Sequence, residues 1–200
     1  DSIVKISSHV INIAKGEFSA ATRKFLSRQG TSKLKDLTKF FYSYFSDEYD
    51  FLYLFSEAPA IGGVYGIHTG IRNDINGLGK TIFDNSADYG SSNKLQSLIA
   101  LNFASSGPIL HETMHRWGVS FPSSLGFSSG SAAHWGMSGT DGQLGGFDPA
   151  TLTKVNDTTY TVKSFGLFAN GGDSIPYSNT ERYLMGLVEK ANLTDIPVFV

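Results

Sequence analysis

Residues 107–118 read Gly-Pro-Ile-Leu-His-Glu-Thr-Met-His-Arg-Trp-Gly, and no other stretch constrains the chain so tightly. Gly107-Pro108 is a helix opening, because proline at the first helical position gives up an N–H that has no intrahelical partner anyway. Gly118 is expected to close the helix in a left-handed conformation at about Trp117. Between these ends the surface divides in two. Leu110, Met114 and Trp117 form an apolar face for burial. His111 and His115 stand at i and i+4, so their imidazoles project from one side and can chelate a single cation. Glu112 lies one position on, beside such a cation rather than on it, where its carboxylate can take a proton from a water held by the metal.

Composition narrows what such a helix can serve. The chain has 200 residues, enough for a single domain with a well-buried core. Its 15 Phe, 9 Tyr and 40% apolar content read as globular rather than disordered. The net charge is −2, and Lys33, Lys35 and Lys39 are spread along one amphipathic segment, so nucleic acid is excluded as an expected partner. Cysteine is absent, which leaves only His, Asp and Glu to hold a metal. No apolar run reaches the roughly 18 residues of a membrane span. A surface polar through Ser, Asn, Gly and Thr, with only 17% charged residues, fits a secreted or cell-surface bacterial protein, expected to be a monomer. Asp1 and the apolar run Ile196–Val200 read as boundaries of a processed chain or of a piece of something longer.

Along the chain, Ile3, Ile6, Val10 and Ile13 have near-helical spacing, opposed by their β-branching, so residues 1–18 stay ambiguous. Thr31 or Ser32 can cap a helix running to about Phe45, with Leu34, Leu37, Phe41 and Phe45 on one face. Phe51–Phe55 reads as a buried strand ended by Pro59 and Gly62-Gly63, and Val64–Ile71 and Lys80–Phe83 are further strands. A helix is expected around Lys94–Phe103, ahead of the one over 108–117. From Phe121 to Asp148 the chain is rich in Gly and Ser, a length of loop that usually serves a site. Tyr160–Phe165 reads as a late strand and Asn179–Leu187 as a short helix. The order predicts an α+β fold: a small mixed sheet packed on an N-terminal helix and the active-site helix, then a loop-rich C-terminal part. One domain over 1–200 is expected, its upper part about 1–118 and its lower part about 119–200.

A catalytic cation needs a third protein ligand. His134, Asp141, Asp148 and Glu181 are the downstream candidates, and His134 leads as the one histidine remaining after the helix. His9 and His68 read as ordinary packed or surface residues. Neutral imidazoles suit Zn²⁺. Phe121, Leu125, Phe127, Trp135 and Leu144 supply either an apolar substrate wall or plain loop anchoring.

The pattern HExxHxxG over His111–Gly118 resembles that of zincin metallopeptidases, and among them the metzincins; Tyr183-Leu184-Met185-Gly186 resembles their Met-turn. The resemblance implies a zinc-dependent hydrolase of peptide bonds acting on a protein or peptide, with His111 and His115 as ligands and Glu112 as general base. It also implies a chain that bends at Gly118 and Met185 as an apolar floor beneath the metal. The chain departs from the metzincin pattern where the third histidine is expected three residues after the glycine, for Phe121 stands there, and His134 lies thirteen residues further on. A likeness to gluzincins instead implies Glu181 as the third ligand on a second helix. Tyr183 then reads as an oxyanion donor or, more simply, a core tyrosine. A zincin-shaped binding module with a structural metal is the reading from a different class. Lys80–Phe83 corresponds to the edge strand along which zincins align substrate.

Overall fold

The computed structural model describes residues 2–14, 32–56, 65–102, 108–121, 123–125, 127 and 133–199. Their contacts group into two compact units: Asp1–Asp74 with Ile82–Gly107, and Ile75–Thr81 with Pro108–Val200. The histidine-bearing helix groups with the downstream chain from Pro108 onward.

In the first unit, strands β1 (Ser2–Ile6) and β2 (Ile11–Ala14) form an antiparallel hairpin. Here β-branching outweighs the helix-like spacing, since branched side chains lose rotamer freedom in a helix and fit a pleated surface. Residues 15–18 lie outside the described residues, as do Thr31, Pro59, Gly62, Gly63, Val64, Phe103 and Gly107. Helix α1 (Ser32–Tyr42) follows, three residues shorter than expected. Next come β3 (Phe51–Ser56), β4 (Gly66–Gly70) and β7 (Ser97–Asn102), ordered β3-β7-β4, with β3 parallel and β4 antiparallel to β7. Between them in sequence, β5 (Arg72–Asn73) pairs with β6 (Phe83–Asp84). Leu34 of α1 packs with Leu52, Ile71, Leu95, Leu98 and Ala100 in one core, flanked by Phe41 and Leu54.

Three expectations are corrected in this unit. The helix around Lys94–Phe103 is instead β7, the central strand, buried at all six positions. A short apolar run with no period fits a doubly covered strand as well as a helix, and two neighbouring strands decide the matter here. β3 is not buried on both faces: as an edge strand it turns Tyr53 and Phe55 outward, with Phe55 half exposed. Of the strand expected at Lys80–Phe83 only Phe83, the first residue of β6, is in a strand. His68 bonds through Nε2 to Ser97 Oγ (2.9 Å) on the neighbouring strand, the role of an ordinary packed residue.

The second unit is mostly irregular. It carries α2 (Ile109–Met114), a two-residue hairpin of β8 (Thr153–Lys154) and β9 (Tyr160–Thr161), and α3 (Asn179–Leu184). The late strand is thus only Tyr160–Thr161. Bridges tie the Gly-rich chain together at Gly136–Gly145, Gly142–Gly145 and Gly146–Gly166. Met114, Val119, Trp135 and Leu144 form the unit's core, with Trp117, Phe121, Phe127, Tyr177, Leu184 and Met185 packed against them. Four of the five apolar loop residues therefore anchor the loop, and Leu125 alone is exposed. The fold is α+β with a small mixed sheet. Among the described residues no helix is long and apolar enough to cross a membrane.

Candidate metal centre

Helix α2 spans six residues, too few to be stable on their own backbone bonds, so the surroundings must hold it. Pro108 takes the cap position, one residue ahead of the first helical position expected for it. Asp173 Oδ1 accepts from Leu110 N (2.9 Å), placing a carboxylate at the helix's positive end. Tyr177 Oη donates to Leu110 O (2.8 Å). At the other end Lys80 Nζ donates to the carbonyls of His115 (2.6 Å) and Arg116 (2.9 Å), a cation where orphan acceptors gather. Burial, with the charge of Arg116 adding to it, pushes the Lys80 pKa down to about 8. Lys80, read as strand, is thus a clamp on the helix.

The chain leaves the helix through a turn at His115–Trp117, and Gly118 N bonds to Met114 O (3.0 Å). Gly118 does not adopt a left-handed conformation, contrary to expectation. Its reason is space: a Cβ there would stand 3.1 Å from Leu144 Cδ1 and 3.2 Å from Met114 Cε.

His111, His115 and His134 converge. One ligand atom from each lies within 4.8 Å of the others, and the ring centroids are 4.9, 5.0 and 5.3 Å apart. No carboxylate of the described residues joins this group, so Asp141, Asp148 and Glu181 stand apart from it. His111 Nδ1–H donates to Gln143 O (2.8 Å), and since a carbonyl only accepts, the proton is on Nδ1 and the lone pair on Nε2. That Nε2 lies 3.4 Å from His134 Nε2. Two nitrogens on one tetrahedral ion, each at about 2.0–2.1 Å, are about 3.3–3.4 Å apart, so this pair already has the spacing a shared cation requires. Burial holds the His111 pKa below its ordinary value; the hydrogen bond to Gln143 opposes this and His134 adds to it. The ring is thereby kept neutral, the form that binds metal. His111 and Glu112 are buried, whereas His115 and His134 are half-buried, which leaves the cluster reachable from solvent. Phe168, itself exposed, sets its ring edge-on to His134 at 5.5 Å.

Glu181 is neither a ligand nor a surface residue. It is fully buried, and Oε1 accepts from Trp135 Nε1 (2.9 Å) and Leu144 N (3.0 Å) while Oε2 accepts from Gln143 N (2.9 Å) and Ser178 N (3.1 Å). It also completes a capping box with Ser178 at the start of α3. The Ser178-x-x-Glu181 spacing announces that cap in the sequence, but nothing there announces the two loop contacts. Met185 ends α3 and packs against the core that contains Met114 and Trp135. Tyr183 is not a core residue; it is 38% exposed. Asp148 caps the turn at Pro149–Thr151 through Ala150 N (2.9 Å), and Asp141 accepts from Asn170 Nδ2 (3.2 Å).

Sequence reasoning missed Gln143, Asp173 and the clamp from Lys80, each of which acts on α2 from a distance in the chain. The chain matches no family model, no curated protein and no solved structure.

Proposed function

We propose that this chain is a zinc-dependent metallopeptidase, metzincin-like, that hydrolyses peptide bonds in a protein or peptide substrate. The observation that carries the reading is the convergence of three imidazoles, one of them fixed as the Nδ1–H tautomer by Gln143 O. An all-nitrogen set of three in a chain without cysteine suits zinc better than calcium or magnesium, which prefer oxygen. Three protein ligands are also the number at which zinc keeps one position for solvent or substrate.

When bound, zinc supplies a Lewis acid that polarises a carbonyl and lowers the pKa of a water toward about 7. The chain's own residues do the rest. His111, His115 and His134 present lone pairs, and the Gln143 carbonyl keeps the His111 ring from rotating. Glu112, one residue from His111 on α2 and 7% exposed, would serve as the proton carrier, its carboxylate accepting a proton from the attacking water and returning it to the departing amine. A carboxylate next in sequence to one of the three histidines favours catalysis over a purely structural metal, which needs no base. The gluzincin variant has no support, since the Glu181 carboxylate is spent on four N–H donors.

The test is metal analysis together with a Glu112→Gln variant assayed on a generic protein substrate such as casein. One zinc per chain in both proteins, with proteolysis lost only in the variant, is the expected result. A well-folded wild-type protein that takes up no zinc overturns the reading.

A further inference from the structure

We infer that Glu181 is a positioning residue for the metal centre: its buried carboxylate locks together the two chain segments that deliver His134 and the carbonyl orienting His111. The inference rests on the reading that the three imidazoles hold a metal.

Burying a carboxylate is costly. A carboxylate at 0% exposure gives up its hydration, and such burial persists only where donors replace the lost water. Four N–H groups do so, two on each oxygen. Their origin gives the arrangement its meaning. Trp135 follows His134 directly, so the indole bond fixes the residue next to one ligand. Gln143 N reaches Oε2 while the same residue's carbonyl accepts from His111 Nδ1–H, so the carboxylate is two hydrogen bonds from a second ligand. Leu144 closes the arrangement, since its N–H binds Oε1 and its carbonyl accepts from Trp135 N (2.9 Å). The loop has been shaped to admit the group: a Cβ on Gly142 would collide with the carboxylate carbon and both oxygens. No regular strand runs through 133–147; isolated bridges hold the glycines of this loop, and the Glu181 carboxylate adds the bonds at Trp135, Gln143 and Leu144.

A Glu181→Gln change keeps the shape but turns one oxygen into an NH₂ that faces two N–H donors, which breaks half the contacts. The experiment uses the whole chain with cobalt(II) and zinc as probes, read by visible absorption and by competition with a chelator, below each variant's melting midpoint. Wild-type protein comes first, and failure to bind either ion there sinks the metal reading itself without reference to any variant. With binding established, folded Glu181→Gln is expected to bind both ions at least tenfold more weakly, within the range of about 10–100-fold typical of outer-shell partners, and to show altered cobalt bands. A folded variant that melts lower yet keeps wild-type affinity and bands overturns the inference, because Glu181 then serves only the core. If Glu181→Gln does not fold, Trp135→Phe removes a single donor. A severalfold loss of affinity in that variant supports the role, and unchanged affinity and bands overturn it.

Discussion

Replacing Gly118 by alanine separates two explanations for a glycine just past the histidine-bearing helix. A left-handed terminator would make alanine costly through backbone strain, but Gly118 is not in that region, so an alanine backbone fits without strain. On that count alone the substitution would stabilise the protein by about 0.4–1 kcal/mol, by restricting the unfolded chain. The side chain is the obstacle. Its Cβ would meet Leu144 Cδ1 at 3.1 Å and Met114 Cε at 3.2 Å, inside the ordinary carbon contact of about 3.5–4.0 Å. Both neighbours are fully buried, and Leu144 is tethered to Glu181 and Trp135, so retreat is expensive. Overpacking of this kind costs about 1–3 kcal/mol, and the midpoints of the two ranges leave a net loss of about 1.3 kcal/mol. For a protein of this size that lowers the melting midpoint by about 3–5 °C. Urea unfolding followed by circular dichroism measures it, and a double-mutant cycle with Leu144→Val identifies the cause. Shortening Leu144 opens room for the new methyl, so the pair should be less damaging than the sum by about 0.5 kcal/mol or more. A neutral Gly118→Ala, or strict additivity with Leu144→Val, refutes the packing argument.

Other outcomes follow from the same geometry. His134→Ala should abolish retention of zinc through dialysis, while His68→Ala, whose ring bonds Ser97 in the sheet, should leave zinc content unchanged. Asp173→Ala removes the carboxylate that accepts from Leu110 N and should cost about 1–2 kcal/mol in urea titration, with Tyr177→Phe costing about 1 kcal/mol. Zinc affinity measured by chelator competition should fall as pH drops below about 6.5, because protons compete for the imidazoles. Burial lowers the His111 pKa, so its lone pair stays open to a cation at lower pH than that of a solvated imidazole. The sign is fixed: protonation opposes binding, so affinity that rises on acidification contradicts the site.

How much of this was legible in the sequence depends on whether the determining contacts are local. The approach of His111 to His115 was, because i and i+4 are neighbours across one helical turn, and so was a short helix beginning at Asn179. His134 could be chosen by elimination, though no spacing pointed to it. β7 was misread as helix because Ser97–Asn102 has no alternation; its state is set by β3 and β4, which lie far off in sequence. The role of Gly118 was misassigned because it depends on Leu144, twenty-six residues downstream. The support of the centre was the least visible part. Gln143 acts through its backbone carbonyl, which any residue possesses, and Glu181 acts through donors on a loop with no secondary structure. Neither leaves a mark on residue type beyond a buried acid and an adjacent glycine.

The central claim is that His111, His115 and His134 close around one ion, and X-ray absorption at the zinc edge on protein loaded with one equivalent tests it most directly. The account predicts a four-coordinate shell of light atoms at about 2.0–2.1 Å with the outer-ring scattering of three imidazoles, reduced to two in His134→Ala. An octahedral all-oxygen shell, or a spectrum that His134→Ala leaves unchanged, contradicts it.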